Sequence, residues 1–269
     1  MIALPGRVTP ARLPLMDTTV LDLKDVHKRY GETRALEALD LHCQPGTVHT
    51  VFGENGSGKS TFVKILSGII APDRGVIRVN GQAVTHYSPL HMRRLGIVPV
   101  LQEVLVAPNV TVLDNIFMGY DGLFRRRLTR AQRLDRAQAV LAQITRMPLN
   151  LDQLVDTVPL PQQQLIVIAR ALLHDPSILI LDEATAALDI EDRDLLFAAI
   201  KAFVARERLV IYISHRMDEV LDLSDTVTVL RSGHAVASLP RAEVSVTRLL
   251  KLVLPDTPLA ETEGKHAHA

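Results

Sequence analysis

The stretch Gly53-Glu54-Asn55-Gly56-Ser57-Gly58-Lys59-Ser60 decides how the rest of this sequence is read. It follows a β-rich run, Thr47–Phe52, and opens a segment, Lys59–Ile69, in which Phe62, Ile65, Leu66 and Ile69 recur at helical spacing. The pattern G-x-x-x-x-G-K-[ST] is matched without a mismatch, and a strand before it and a helix after it are the context that gives it meaning. Such a loop turns its N–H groups inward around phosphate oxygens. Side chains would crowd that concavity, hence Gly53, Gly56 and Gly58. The N-terminus of the helix adds the positive end of its dipole. In this pattern Lys59 reaches the β- and γ-phosphates and the Ser60 hydroxyl binds Mg²⁺. Glu54, Asn55, Ser57 and Thr61 complete the expected nucleotide-binding loop.

Downstream, Ile178-Leu179-Ile180-Leu181 runs into Asp182-Glu183. Four consecutive apolar residues predict a strand buried on both faces of a parallel sheet. Ligands of open α/β sheets lie at the carboxyl ends of such strands, where these two acids fall. Asp182 is expected to hold the Mg²⁺ hydration shell, and Glu183 to orient or deprotonate an attacking water. Around this strand the pattern alternates. Helices are expected at Gln162–His174, Asp189–Glu207 and Arg216–Leu223, and strands at Ser177–Leu181, Leu209–Ile213, Asp225–Arg231 and His234–Leu239. Nearer the N-terminus, strands are expected at Thr18–Leu23, Leu36–His42, Gly75–Val79 and Gly96–Leu101, and a short helix at Val110–Met118. Thr129 and Gln132 form a capping box that opens a helix with Leu134, Ala137, Leu141 and Ile144 on one side. Alternation of this kind means βαβ units, an α/β fold with a mainly parallel sheet.

Composition narrows the partners. Of 269 residues, 47% are hydrophobic and 22% charged, ordinary for a globular chain. Lys plus Arg (30) equals Asp plus Glu (30), which argues against a protein built to neutralise a phosphate backbone. Aromatics reach only 4% with no Trp, so a base-stacking platform is not expected either, and no nucleic-acid partner is inferred. A single cysteine, Cys43, excludes an intramolecular disulfide and a multi-thiolate zinc site. Residues 1–17, with Pro5, Pro10 and Pro14, read as a loose leader without the apolar run of a signal peptide. No stretch approaches the ~18 apolar residues of a membrane span. A cytoplasmic chain is expected, with any membrane role supplied through a partner. The basic run Arg125-Arg126-Arg127 reads as a solvated face. The polar tail at 255–269, including His266 and His268, is expected to be disordered.

Several P-loop classes share a phosphate loop and an acid at a strand tip. None of the seven lysines sits in the [NT]-K-x-D guanine reader of a GTPase. After Asp182-Glu183 come Ala184-Thr185-Ala186-Ala187-Leu188-Asp189, and later Ile213-Ser214-His215-Arg216. Together with GENGSGKSTFVKILSG, LQE and IARALLHDPSILILDEATAALD, these stretches resemble the ATP-binding cassette (ABC) ATPases, most closely their carbohydrate-uptake branch. The resemblance runs from about Thr18 to Leu239. It implies a P-loop fold with a mainly parallel sheet, an antiparallel β subdomain and a helical subdomain inserted at about residues 103–175. The whole domain would span residues 18–254.

The resemblance also implies roles. Tyr30 matches the aromatic that stacks on adenine, and Gln102 the glutamine that touches Mg²⁺ and senses a permease. Asp189 matches the aspartate that crosses between paired cassettes, and His215 the histidine that contacts the γ-phosphate. ATP and Mg²⁺ are the implied ligands. The implied partners are integral membrane permease subunits, a second cassette in a homodimer or heterodimer, and indirectly a periplasmic or extracellular solute-binding protein. The chain would sit peripherally on the cytoplasmic face of the membrane and drive import of a sugar or similar solute. A catalytically weak regulatory or non-transport module is the alternative.

One departure bears on that alternative. The family's loop L-S-x-G-[QED] falls on Val158-Pro159-Leu160-Pro161-Gln162, with proline at both the serine and glycine positions. The resemblance implies that this loop offers a hydroxyl and N–H groups to a γ-phosphate held by the opposite subunit. Proline has neither. The site completed by this loop is therefore expected to be nearly silent, while the chain's own P-loop would be completed by a partner with an intact loop. Importers of this branch commonly fuse two cassettes. Here one is present, so pairing is expected to complete a composite site.

Overall fold

The computed structural model describes residues 20–120 and 128–254. The expectations for residues 1–17, for Arg125-Arg126-Arg127, for the two residues that open the first predicted strand, and for the tail at 255–269 lie outside that range.

Two sheets share the chain. β1 (Leu21–Tyr30), β2 (Thr33–Cys43), β4 (Arg74–Val79) and β5 (Gln82–Ala83) form an antiparallel sheet in the order β2-β1-β4-β5. The larger sheet takes β3 (Val48–Phe52), β6 (Ile97–Val100), β7 (Ile178–Asp182), β8 (Leu209–Ser214), β9 (Thr226–Arg231) and β10 (His234–Pro240), in the order β10-β9-β3-β8-β7-β6. All its pairings are parallel except the β9–β10 hairpin at one edge. The helices are α1 (Lys59–Leu66), α2 (Pro89–Arg94), α3 (Val112–Ile116), α4 (Arg130–Leu141), α5 (Leu160–Leu173), α6 (Ile190–Val204), α7 (Met217–Leu223) and α8 (Val246–Val253).

The all-apolar strand β7 behaves as its sequence predicts, buried along its whole length. Leu179 and Leu181 enter a core with α3, α4, α5 and α6, while Ile178 and Ile180 face a second core formed with α1 and the antiparallel sheet. A third cluster packs α7 and α8 on β9 and β10 through Val220, Val227, Leu239 and Leu249. Covering both faces of the sheet leaves the carboxyl ends of its strands as the open rim.

Several element bounds differ from expectation. The first strand continues past Leu23 to Tyr30, because bulges around Asp25, at φ +51°, break the apolar alternation without ending the pairing to β2. α5 begins at Leu160, with Pro161 in its first turn, where a missing N–H costs nothing. The helix expected at Val110–Met118 contracts to Val112–Ile116, capped by Thr111, whose side chain accepts from the Asp114 amide. α2 and α8 were not expected. Both carry the ordinary start signal, Ser88 before Pro89 and Ser245 accepting from the Arg248 amide.

Candidate functional site

The loop after β3 closes over the start of α1 as the glycine pattern requires. Gly58 sits at φ +111°, and a Cβ there would stand 2.6 Å from the Ala35 carbonyl oxygen. A Cβ on Gly53 would meet the Leu230 carbonyl oxygen at 2.3 Å. These two glycines let the loop pack against β2 and β9. Gly56, at φ +81°, has open space beside it. The β9–β10 turn braces the loop from outside, Gly233 donating its amide to the Ser57 carbonyl at 3.0 Å.

In front of the loop lies a cavity of about 290 Å³. The phosphate loop lines it with Asn55, Gly56, Gly58, Lys59, Ser60 and Thr61. Tyr30 comes to it from the end of β1, Gln102 from beyond β6, and Asp182 and Glu183 from the end of β7. Thus residues far apart in sequence meet at one rim, the carboxyl ends of β6 and β7. Gly53, Glu54 and Ser57 stand behind that wall: Gly53 and Ser57 are buried, and Glu54 borders a separate cleft with Arg231. Thr33, Arg34 and Ala35 also line the cavity. Nothing in their sequence marks them, since only the β1–β2 turn carries them there. A larger cavity, about 360 Å³, lies between α2, β6 and α5, but it holds neither an acid nor the phosphate loop.

Charge is concentrated at the rim. The Lys59 ammonium donates to the Gly53 and Glu54 carbonyls at 2.7 and 2.8 Å. Burial lowers its pKa, against the pull of Glu183, Asp182 and Glu54. Asp182 is buried, and desolvation followed by the Glu183 charge pushes its carboxyl up to about 6, with Lys59 opposing. Glu183 follows at φ +49°, a backbone conformation that L side chains rarely adopt. Its carboxylate is gripped from two sides. Gln102 Nε2 donates to Oε2 at 3.0 Å, and His215 Nδ1 stands 2.9 Å from Oε1. His215 itself is exposed and reaches the cavity only through this contact.

These donors suit a hard divalent cation. The Ser60 hydroxyl, the Gln102 amide oxygen and the Asp182 carboxylate line one cavity and are oxygen donors of the kind Mg²⁺ takes. Two acids side by side, one of them with a raised pKa, provide the electrostatic reason for a cation there. Among the described residues no group of three His, Cys, Asp or Glu forms a cage of its own.

The remaining expected residues lie elsewhere. Asp189 caps α6, accepting from the Asp192 amide at 2.8 Å. Pro159 caps α5 with no side-chain hydrogen bond, Pro161 follows in its first turn, and Leu160 between them is 56% exposed. Gln162 is half-buried on the same turn.

Comparison with known proteins bears on the family and the fold. The profile of the ABC transporter family matches residues 36–186. The chain is 37% identical over 239 residues to the ribose import ATP-binding protein RbsA 3 of Rubrobacter xylanophilus, covering 87% of this chain and 47% of that protein. It is 39% identical over 237 residues to RbsA 2 of Rhizobium meliloti, covering 88% and 46%. The chain therefore spans about half the length of these relatives. Among solved structures, a dimeric ATP-binding cassette in a post-hydrolysis state with ADP and Pi superposes with a TM-score of 0.75 at 23% identity, covering 82% of this chain and 98% of that one. An Atm1-family ABC exporter with ATP bound gives 0.71 at 28% identity, covering 86% and 40%. Among the described residues no helix is long and apolar enough to cross a membrane. With a phosphate loop, a paired acid at the strand tip and a family match over more than half its residues, the chain belongs to the ABC transporter family, as an ATP-binding cassette.

Proposed function

We propose that this cassette hydrolyses ATP to ADP and phosphate to drive uptake of a sugar or similar small solute. It would work through integral membrane permease subunits on the cytoplasmic face, with a second cassette and, indirectly, a solute-binding protein. The observation that carries the catalytic half is the Glu183 carboxylate, held by Gln102 and His215 beside Lys59 and Asp182. The names of the ribose-import relatives support the transport half.

In this reading Tyr30, half-exposed at the cavity mouth, stacks on adenine. The N–H groups between Gly56 and Thr61 and the Lys59 ammonium bind the β- and γ-phosphates. Ser60, Asp182 and Gln102 would hold Mg²⁺, which would supply charge neutralisation on the phosphates. Glu183 takes the proton of the attacking water while a new P–O bond forms to the γ-phosphorus. The bond from that phosphorus to the bridging oxygen breaks, and ADP keeps the electron pair. His215 holds Glu183 in line through its 2.9 Å contact, and on the family resemblance it would also contact the γ-phosphate. Asp189, exposed at the start of α6, would face the second cassette.

The proline-substituted loop supports an asymmetric pair. At the start of α5, neither Pro159 nor Pro161 has an N–H, and Leu160 between them is exposed. A charge-assisted bond contributes ~1.5–3 kcal/mol, so losing two or three weakens the site this loop faces by powers of ten. The same prolines favour the second reading, a nucleotide-binding module of low turnover. Titration calorimetry with Mg-ATP tests the first step: a folded sample that gives no heat overturns the proposal. Phosphate release by the chain mixed with an intact cassette separates the two readings, since robust turnover there excludes the regulatory module.

A further inference from the structure

The turn that carries Glu183 and the strand end that carries His215 are tied together by a carboxylate that does not reach the cavity. Glu219, on α7, is 1% exposed. Its Oε1 accepts from Thr185 Oγ1 at 2.7 Å, and its Oε2 accepts from Tyr212 Oη and Ser214 Oγ, each at 2.7 Å. Arg216 Nε lies 3.4 Å from Oε1. Thr185 is two residues past Glu183, and Ser214 and Arg216 flank His215. Tyr212 is fully buried. Desolvation, reinforced by Glu219, drives its phenol far above the usual range, so it stays a donor.

Glu183 needs this support. Its backbone at φ +49° is unfavourable for a residue with a Cβ and persists only where the surroundings over-determine it. The backbone ties the turn to β8 once, the Glu183 amide donating to the Ile213 carbonyl at 3.0 Å, and within the turn the Ala186 amide donates to the Glu183 carbonyl at 3.1 Å. Neither bond orients the side chain against His215. The Thr185–Glu219–Ser214 bridge adds a side-chain tie between the turn and the strand end from beneath.

We propose that Glu219 is the positioning residue of this site: it sets the Glu183–His215 contact, and so the alignment of the base, without touching nucleotide. This rests on the hydrolytic reading above. A buried carboxylate with three O–H donors is all-or-none, since neutralising it leaves donors unpaired in a dry site. The effect should fall on turnover and spare binding, because the phosphate loop shares no hydrogen bond with the network.

The test compares wild type, Glu219→Gln, and the milder Thr185→Val. Mg-ATP affinity is read by calorimetry, turnover by phosphate release with an intact partner cassette, and amide exchange on the same samples. Glu219→Gln is expected to lower kcat about 10–100-fold with affinity unchanged within about twofold. Exchange should rise at 182–188 and 213–216 and nowhere else. Thr185→Val should lower kcat about fivefold with the same split, and it decides the matter if Glu219→Gln does not fold. Full turnover in the variants, affinity falling in step with kcat, or unchanged exchange in both segments overturns the proposal. The exchange result stands even if wild type binds without turning over. A wild type that fails to bind Mg-ATP refutes the hydrolytic reading itself.

Discussion

Glu183 and His215 are 32 positions apart, yet the carboxylate oxygen Oε1 stands 2.9 Å from the imidazole Nδ1 at the tips of adjacent parallel strands. The contact holds the Glu183 carboxylate from one side, with Gln102 closing the other, the orientation the proposed base needs. Replacing Glu183 by Gln keeps the shape and removes the carboxylate proposed to accept the proton. Mg-ATP binding should persist while phosphate release falls by about 10²–10⁴. Full turnover in that variant would remove Glu183 from the role of base.

His215→Ala leaves Glu183 with Gln102 as its one side-chain partner among the described residues. Turnover should drop about 10–100-fold, as for loss of an orienting group, with little change in nucleotide affinity. An equal loss in binding would mean that His215 acts on the ground state.

Asp182 is buried at a cost to stability above its pKa. Its folded pKa of about 6 lies above the ordinary 3.8, so the folded state binds the proton more tightly than the unfolded chain does. The sign follows: its contribution is most favourable below pH 4 and is lost as pH rises through 6. In EDTA at pH 8, Asp182→Asn should therefore stabilise the protein by about 1–3 kcal/mol, and the gain should vanish below pH 4. The same variant should lose Mg²⁺-dependent nucleotide binding. In wild type that binding should weaken as pH falls below about 6. Thermal melts across pH with and without Mg-ATP check both halves.

Gly58→Ala should cripple the phosphate loop. Its Cβ would press on the Ala35 carbonyl at 2.6 Å and on Leu36 Cδ2 at 2.9 Å, at a φ of +111°. The strain is about 1–3 kcal/mol, with Mg-ATP affinity reduced at least tenfold. Gly56→Ala meets no atom within 4 Å, so it carries only the penalty of its φ of +81°. Calorimetry that ranks the two variants the other way would refute the packing argument.

Pro159→Ser with Pro161→Gly restores a hydroxyl and two N–H groups at the start of α5. Phosphate release by the chain mixed with itself should rise about tenfold or more, since each regained charge-assisted bond contributes ~1.5–3 kcal/mol. No gain would show that the prolines are not what limits a pair of identical cassettes.

Much was legible because it depends on neighbours in sequence. The glycine spacing of Gly53–Ser60 specifies a turn and the start of α1, and the apolar run Ile178–Leu181 specifies a doubly buried strand ending in Asp182-Glu183. Both are statements about local backbone freedom and local burial, which short stretches encode. The continuation of β1 through its bulge at Asp25 was not legible, because pairing to β2 and β4 rather than alternation holds it. Nor was the part that Thr33, Arg34 and Ala35 play in lining the cavity. Only the tertiary structure decided that Gln102 and His215 would grip Glu183 and that buried Glu219 would tie their segments from below. Those contacts arise from the order of β6, β7 and β8 in the sheet, a choice made by the packing of two cores and not by any residue's immediate neighbours.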